Sequence, residues 1–156
     1  MKPLTDWECS YQDHRILVKF GSTVKGYYHL LEEPYCTKCA YPGVSTSECD
    51  KHEKDYGYRR TYAMGRYLPV RLDPEYKDLL SNHIRGLKQY PNYALPLGLG
   101  ISICVKIRYP ELLRSDLVVP VPKHADEVEP PKFNQAAELA KSVSENIGVD
   151  LADLLH

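Results

Sequence analysis

Two short pairs of metal-ligating residues are the strongest chemical signal in the sequence. Cys36 and Cys39 form a Cys-x2-Cys pair, and Cys49 and His52 form a Cys-x2-His pair after nine intervening residues. Two intervening residues allow one turn to present both side chains to the same ion, and three thiolates with one imidazole make a known tetrahedral zinc site. We therefore predict that Cys36, Cys39, Cys49 and His52 bind a structural zinc ion.

The predicted zinc site has no open coordination position, because all four ligands come from the protein, so its role would be structural. Such a site contributes on the order of 10 kcal/mol to the folding of a module too small to form its own core. Cys9 is an alternative to His52 as the fourth ligand, and the remaining thiol, Cys104, is predicted to be an inert buried side chain. The competing interpretation is a chance pair of thiols beside a free cysteine.

Tyrosines and arginines alternate soon after the cysteine pairs, between Tyr56 and Arg71. Aromatic rings that stack on bases and arginines that pair with phosphates can form a platform for single-stranded nucleic acid. An amphipathic strand with solvated arginines is the simpler interpretation. The formal net charge of the chain is -1, so nucleic-acid binding would have to depend on a local patch. The residues that would form this patch are Tyr58, Arg59, Arg60, Tyr62 and Arg66.

Composition and hydropathy predict a soluble, cytoplasmic protein with no membrane partner. Hydrophobic residues make up 43% of the 156 residues and charged residues 26%, as in ordinary globular domains. The opening residues include acids where a signal peptide needs an apolar run. The longest apolar stretch, Tyr93 to Val105, is shorter than the ~20 residues that span a bilayer. In such a chain, five cysteines favour a metal site over a disulfide framework.

The segment before the cysteines has the pattern of a β-hairpin. Residues 14–20 are rich in β-branched and apolar side chains, residues 21–26 supply a turn, and residues 27–31 can return as the partner strand. A hairpin beside a four-ligand cluster predicts a small zinc-ribbon-like β module over residues 1–55. A polar linker places the domain boundary near Asp55.

The pattern changes to helices and a parallel strand in residues 56–156. Asp73 is predicted as the N-cap of a helix that runs to Leu87, and residues 95–108 form a second, buried helix. The continuous apolar run Asp116–Pro122 is typical of a parallel strand covered on both faces. A third helix begins after Asn134 and ends at Gly148, and a further strand follows within residues 149–155. The predicted fold class is therefore α/β.

The last strand, loop and helix resemble the ComF-like phosphoribosyltransferases. The sequence Asp-Leu-Val-Val-Pro-Val-Pro at residues 116–122 precedes a polar loop and Phe-Asn-Gln-Ala at residues 133–136. Members of that family carry a strand ending in Pro-Val-Pro and then Arg-Gly-Phe-Asn-Gln-Ala before a helix. Residues 79–88 resemble the family helix that ends in a short basic segment. The four-ligand cluster resembles the zinc motif at the amino end of the family, with His52 in place of a fourth cysteine.

This resemblance implies a partial type I phosphoribosyltransferase domain, with a parallel sheet and helices, in residues 56–156. Enzymes of this kind join or remove a base or amine at phosphoribosyl pyrophosphate (PRPP), together with Mg²⁺. Ligands of such folds sit at the carboxyl ends of strands, where helix N-termini offer N–H groups to phosphate. The pyrophosphate-loop candidates on this basis are Val121, Pro122, Lys123, His124, Lys132 and Asn134.

Two departures from the family pattern bear on activity. Pro131-Lys132 replaces the family Arg-Gly, and the main PRPP loop, two acids followed by Thr-Thr-Gly, does not occur in this sequence. We therefore expect PRPP and Mg²⁺ binding only if the domain is completed, and no catalysis by these residues alone. The chain would then be a fragment, rely on a partner, or form a reduced sheet. The alternative function is a non-catalytic zinc-ribbon adaptor that binds single-stranded nucleic acid or a protein, since the family is associated with DNA uptake.

Overall fold

The computed structural model describes residues 6–51, 60–68, 78–122 and 133–152. Within these residues the fold is mixed α/β, with a three-stranded antiparallel sheet, a two-stranded parallel sheet and three α-helices, as the predicted fold class requires. The antiparallel strands are β1 (Trp7–Gln12), β2 (Arg15–Phe20) and β3 (Thr23–His29). The remaining elements are α1 (Leu79–Leu87), α2 (Ala94–Arg108), β4 (Leu117–Val118), α3 (Gln135–Ile147) and β5 (Asp150–Leu151).

The predicted hairpin is present and forms the β2–β3 half of the antiparallel sheet, with β2 in the centre. Strand β3 begins at Thr23 rather than at Tyr27, because Gly21, with a φ of 57°, already reverses the chain. Strand β1 was not predicted. It pairs with β2 over its whole length, although four of its six side chains are exposed and few are typical strand formers.

One face of this sheet forms the hydrophobic core with the helices. Ile16, Val18 and Tyr28 are fully buried, and alternation along the strands places them on the same side. Burying a side chain of this size stabilises the fold by about 1.5–3 kcal/mol. The helical part of the same core cluster consists of Leu80, Leu87, Ala94, Leu97, Cys104 and Tyr109.

A polar pair lies inside this core. The hydroxyl of Tyr28 is 2.5 Å from Nδ1 of His83, and His83 is buried between the rings of Trp7 and Tyr93, with centroids at 5.4 and 5.0 Å. Burial lowers the pKa of His83 to about 4, because the charged imidazolium would lose its water. The imidazole is therefore neutral at physiological pH and satisfies the buried phenol by a hydrogen bond.

Two glycines in α2 allow neighbouring residues to pack closely against two sides of the helix. A Cβ at Gly98 would lie 2.1 Å from Oγ of Ser142 on α3, and a Cβ at Gly100 would lie 2.8 Å from the ring of Tyr28. No real side chain tolerates such distances, so only glycine permits this approach. The sequence prediction of a buried helix over residues 95–108 is confirmed.

The predicted start of the first helix is wrong. Asp78, not Asp73, is the N-cap: its backbone is extended, and its Oδ2 accepts a hydrogen bond from the Ser81 N–H at 2.7 Å. Asp73 and Asp78 both precede the apolar face of this helix, which includes Leu79. The apolar periodicity therefore could not show which of the two residues is the N-cap. Residues 73–77 lie outside the described residues.

The segment from β4 through α3 to β5 forms a parallel β-α-β unit. Leu117 and Val118 pair with Asp150 and Leu151. The predicted caps of α3 are confirmed: at its start, Oδ1 of Asn134 accepts hydrogen bonds from backbone N–H groups of the first turn. Gly148 ends the helix at a φ of 72°.

The prediction that the apolar run around β4 is covered on both faces is wrong. Leu117 and Val119 are 50% exposed, and Val121 is 76% exposed. The physical reason is that β4 has a single neighbouring strand among the described residues, whereas a buried parallel strand needs neighbours and helices on both sides.

The predicted domain boundary at Asp55 lies outside the described residues, so the division into 1–55 and 56–156 stays a prediction. On either side of that gap, described residues of β2 and β3 share one core with α1 and α2. Helix α2, with 15 residues, is shorter than a bilayer crossing requires, and the other helices described are shorter still.

Candidate metal centre

Three of the four predicted zinc ligands come together in space. The sulfur atoms of Cys36, Cys39 and Cys49 all lie within 4.8 Å of one another, and those of Cys39 and Cys49 are 3.6 Å apart. Thiolates bound to one tetrahedral zinc at about 2.3 Å are separated by about 3.8 Å. A disulfide would need about 2.05 Å, and all five cysteines are free. The spacing of the sulfurs therefore fits a shared metal ion.

A tight turn positions the first two thiols. The Ala40 N–H donates to the Cys36 carbonyl at 2.7 Å, and the Cys36 N–H donates to the Tyr41 carbonyl at 2.9 Å. Ala40 has a φ of 59°, a conformation that a non-glycine residue adopts only where its surroundings impose it. An antiparallel bridge between Tyr35 and Pro42 closes the base of the turn. The Cys-x2-Cys spacing thus becomes one turn with both thiols on one side.

A second turn brings Cys49 to the first pair. Glu48 Oε2 accepts hydrogen bonds from the hydroxyl and N–H of Ser45, at 2.6 and 3.3 Å. Oγ1 of Thr46 lies 2.8 Å from Oγ1 of Thr37 and accepts from the Thr37 N–H at 2.9 Å. These supporting residues were not predicted from the sequence. The signal that marks them is Ser-x-x-Glu before Cys49, the spacing of a capping box.

The local electrostatics favour a thiolate at the first cysteine. Burial alone would raise the pKa of Cys36, but hydrogen bonds from the backbone of Cys39 and Lys38 and from the thiols of Cys39 and Cys49 lower it to about 6. Burial and the neighbouring sulfurs raise the pKa of Cys39. A negative sulfur beside two further thiols is a suitable starting point for a metal, which binds thiolates and releases their protons.

The fourth predicted ligand, His52, lies outside the described residues. The alternative ligand, Cys9, does not join the cluster, since its thiol on β1 donates to the Pro96 carbonyl at 3.7 Å. Burial raises the pKa of Cys9 to about 12 and also raises that of Cys104, which is buried in α2 as predicted. Both are therefore neutral thiols held in the core.

The cysteine turn is attached to the rest of the fold by polar contacts. The N–H of Thr61 donates to the Thr37 carbonyl at 3.0 Å, and its hydroxyl donates to the Lys38 carbonyl at 2.7 Å. The hydroxyls of Tyr35 and Tyr109 lie 3.1 Å apart, which connects the base of the turn to the end of α2. The cysteine turn is therefore held against Thr61 and the end of α2.

The predicted nucleic-acid patch is partly engaged within the protein. The guanidinium of Arg60 stacks over Tyr62 at 4.8 Å and lies 3.7 Å from a carboxylate oxygen of Glu111. The ring of Tyr62 packs edge-on against Tyr109 with centroids 4.9 Å apart. Arg66 is exposed, whereas Tyr58 and Arg59 lie outside the described residues. A base that stacked on Tyr62 would have to displace these contacts.

The pyrophosphate-loop candidates fall at the edge of the β-α-β unit. Val121 and Pro122 are exposed just after β4, and Lys123, His124 and Lys132 lie outside the described residues. Oδ1 of Asn134 accepts from the N–H groups of Ala136 and Ala137 at 3.0 and 3.2 Å, so the first turn of α3 is already capped. A phosphate at this position would share the helix N-terminus with that cap.

No protein-family model, curated protein or solved structure matches this chain. A functional conclusion therefore depends on the residues themselves. The three clustered thiols are the most informative of them, because their spacing fits a shared metal ion.

Proposed function

We propose that this chain is a ComF-like phosphoribosyltransferase domain protein organised around a structural zinc site. The observation that carries the proposal is the cluster of three sulfurs within 4.8 Å of one another. In the proposed arrangement, a zinc-ribbon-like module over residues 1–55 precedes a partial phosphoribosyltransferase domain over residues 56–156. The zinc is structural, because a fourth protein ligand leaves no position for substrate.

Zinc is the metal that this donor set favours. Thiolates are soft ligands, and a set of three thiolates and one imidazole selects zinc over magnesium or calcium, which prefer oxygen. We assign the fourth position to His52, since Cys9 is held in the core by its contact with Pro96. The ion would connect the two turns that carry Cys36 and Cys49, which are otherwise joined by hydrogen bonds between Thr37 and Thr46.

The phosphoribosyltransferase part of the proposal is supported by topology. Strand β4 is parallel to β5 and is joined to it through α3, which is the unit that doubly wound nucleotide-binding folds repeat. The proposed pyrophosphate loop follows β4, and lysines at 123 and 132 would neutralise a polyanion. Because the acidic Thr-Gly loop is absent from this sequence, we propose no complete catalytic site for these residues alone.

Metal analysis tests the zinc site directly. We expect one zinc per purified chain, and we expect Cys39→Ser and His52→Ala to lose most of it, because each removes a ligand. Cys9→Ser and His29→Ala are matched controls outside the cluster and should retain the metal. A wild-type chain without zinc, or a Cys39→Ser variant with full zinc content, would contradict the proposal.

Ligand titration separates the phosphoribosyltransferase from the nucleic-acid adaptor. We expect calorimetry to detect PRPP binding in the presence of Mg²⁺ once a segment that carries the acidic Thr-Gly loop completes the domain. This binding should be weakened by Lys123→Ala and unchanged by Lys106→Ala. Single-stranded DNA titrated at two salt concentrations should bind weakly, because Arg60 and Tyr62 are already engaged. DNA binding that falls steeply with salt, together with no response to PRPP, would favour the adaptor instead.

A further inference from the structure

An apolar cavity of about 470 Å³ lies between the three helices and the segment Tyr62–Gly65. It is separate from the sulfur cluster and from the described residues after β4, 119–122, since none of these lines it. Helix α1 contributes Leu80, Ile84 and Leu87, and α3 contributes Leu139. Neither the proposed zinc site nor the phosphoribosyltransferase resemblance gives this cavity a role.

The cavity reaches the core of the protein. Leu80, Leu97 and Cys104 form part of its wall and are buried, whereas Ile101 and Leu139 are half-buried. Protein interiors are normally packed without voids much larger than a water molecule. An engineered cavity of about 150 Å³ lined by apolar side chains stays dry and binds benzene. The present cavity is about three times as large as that example and is partly open to solvent, so a bound molecule could enter it and contact apolar walls that are now uncovered.

The lining defines the chemistry of a ligand. No charged side chain lines the cavity within the described part of the chain, and its few polar groups include the Cys104 thiol and the Tyr62 and Tyr109 hydroxyls. The Tyr109 hydroxyl is already placed 3.1 Å from that of Tyr35 and 3.4 Å from the Ala63 carbonyl. A charged ligand would lose its water here without gaining a partner.

We infer that this cavity is a binding site for a small, uncharged, predominantly apolar molecule. Its volume falls within the range of about 300–1,000 Å³ that ligand clefts occupy, and such clefts are lined mainly by hydrophobic and aromatic side chains. The driving force is the removal of apolar surface from water on both partners. Binding requires neither the zinc ion nor PRPP.

The uncharged fluorophore N-phenyl-1-naphthylamine is a suitable probe for the folded, metal-loaded full chain. We expect calorimetry to give saturable binding with one probe per chain, and saturating probe to raise the melting temperature, because the probe binds the native state. Ile101→Trp should fill the cavity and weaken binding roughly tenfold or more. Ile107→Trp is the matched control, since Ile107 is 46% exposed on the same helix and does not line the cavity.

Leu139→Phe is a second filling variant, placed on α3, in case the larger substitution disturbs α2. Loss of binding in either folded filling variant, with the Ile107→Trp control unaffected, supports the inference. A folded wild-type chain that binds no probe would overturn it. It would also be overturned if both filling variants bind as the wild type does, or if several probes bind without raising the melting temperature.

Discussion

The antiparallel sheet and the cysteine turns follow one another directly in the chain, yet they are held together by different interactions. Sheet residues such as Ile16, Val18 and Tyr28 are fully buried against the helices. Residues 34–49 contribute one fully buried side chain, that of Cys36, and otherwise rely on short hydrogen bonds between turns. An individual hydrogen bond contributes only about 0.5–1.5 kcal/mol after competition with water.

This difference indicates which region would gain most stability from a bound metal ion. The sheet buries enough apolar surface against α1 and α2 to be stable through packing. The described residues of the cysteine turns form no comparable core, so in the proposed arrangement a bound metal ion would compensate for the lost chain entropy. Substitutions and solution conditions should therefore affect the two regions separately.

Removal of the metal is expected to have the largest effect and to be confined to the cysteine turns. A structural zinc contributes on the order of 10 kcal/mol to modules of this kind. A strong zinc chelator should therefore abolish amide protection over residues 34–49 while β2 stays protected, measured by hydrogen exchange with mass spectrometry. If chelation leaves the exchange of residues 34–49 unchanged, or unfolds β2 at the same time, the two regions do not differ as described.

Acidification is expected to weaken the core through His83. The pKa of His83 is lowered to about 4 in the folded protein, whereas an unfolded histidine titrates near 6.5. As the pH falls from about 6.5 to 4, the unfolded chain takes up a proton that the folded chain does not, so stability decreases by at most about 3 kcal/mol. Urea unfolding at pH 7 and pH 4.5 measures this loss.

The variant His83→Asn keeps a polar partner for Tyr28 but cannot titrate. The pH dependence of its unfolding free energy is subtracted from that of the wild type. The difference excludes the effect of acid-induced metal loss, because both proteins share that effect. An identical pH dependence in the two proteins would show that His83 is not the responsible group.

Gly98→Ala is expected to destabilise the helical side of the core by about 2 kcal/mol, because α2 and α3 must move apart. The added Cβ would lie 2.1 Å from Oγ of Ser142. Helix propensity alone predicts the opposite sign, since alanine is favoured over glycine by about 1 kcal/mol. Urea unfolding distinguishes the two. In the double variant, Ser142→Gly should restore part of the stability that Gly98→Ala loses, with Ser142→Gly alone as the reference. A gain in stability from Gly98→Ala would refute the close approach.

The smallest expected effect is at the start of α3. Asn134→Ala removes the acceptor for the N–H groups of Ala136 and Ala137 and should cost about 1 kcal/mol. Asn134→Asp preserves an acceptor and should stay near the wild type, measured by thermal and urea unfolding. Equal losses of stability in both variants would show that the Asn134 side chain stabilises the fold by packing rather than by capping α3.

The features that were predictable from the sequence depend on short-range patterns. The cysteine spacing identified three sulfurs that meet, because Cys36 and Cys39 lie within one turn and Cys49 follows them closely in the sequence. Asn134 and Gly148 marked the ends of α3 correctly, because caps are chosen by the local backbone. Helix α2 was predictable from its length and its apolar composition.

The features that were missed depend on contacts between distant parts of the chain. Strand β1 exists because it pairs with β2, although its own side chains are mainly polar or exposed. The apolar run around Val119 indicated a strand but could not reveal how many neighbours would cover it. The contact between Tyr35 and Tyr109 joins residues 74 positions apart, and no local pattern encodes such a distance.

The glycines of α2 also have a consequence for the order in which the chain can be assembled. Helix α2 leaves the ribosome before α3, so the groove at Gly98 that later receives Ser142 is first presented to solvent by a nascent chain. Until residues 135–147 emerge, one side of an apolar helix has no cover. Ribosome-bound chains in which residue 122 has just left the exit tunnel should therefore recruit chaperones more strongly than chains in which α3 has also emerged.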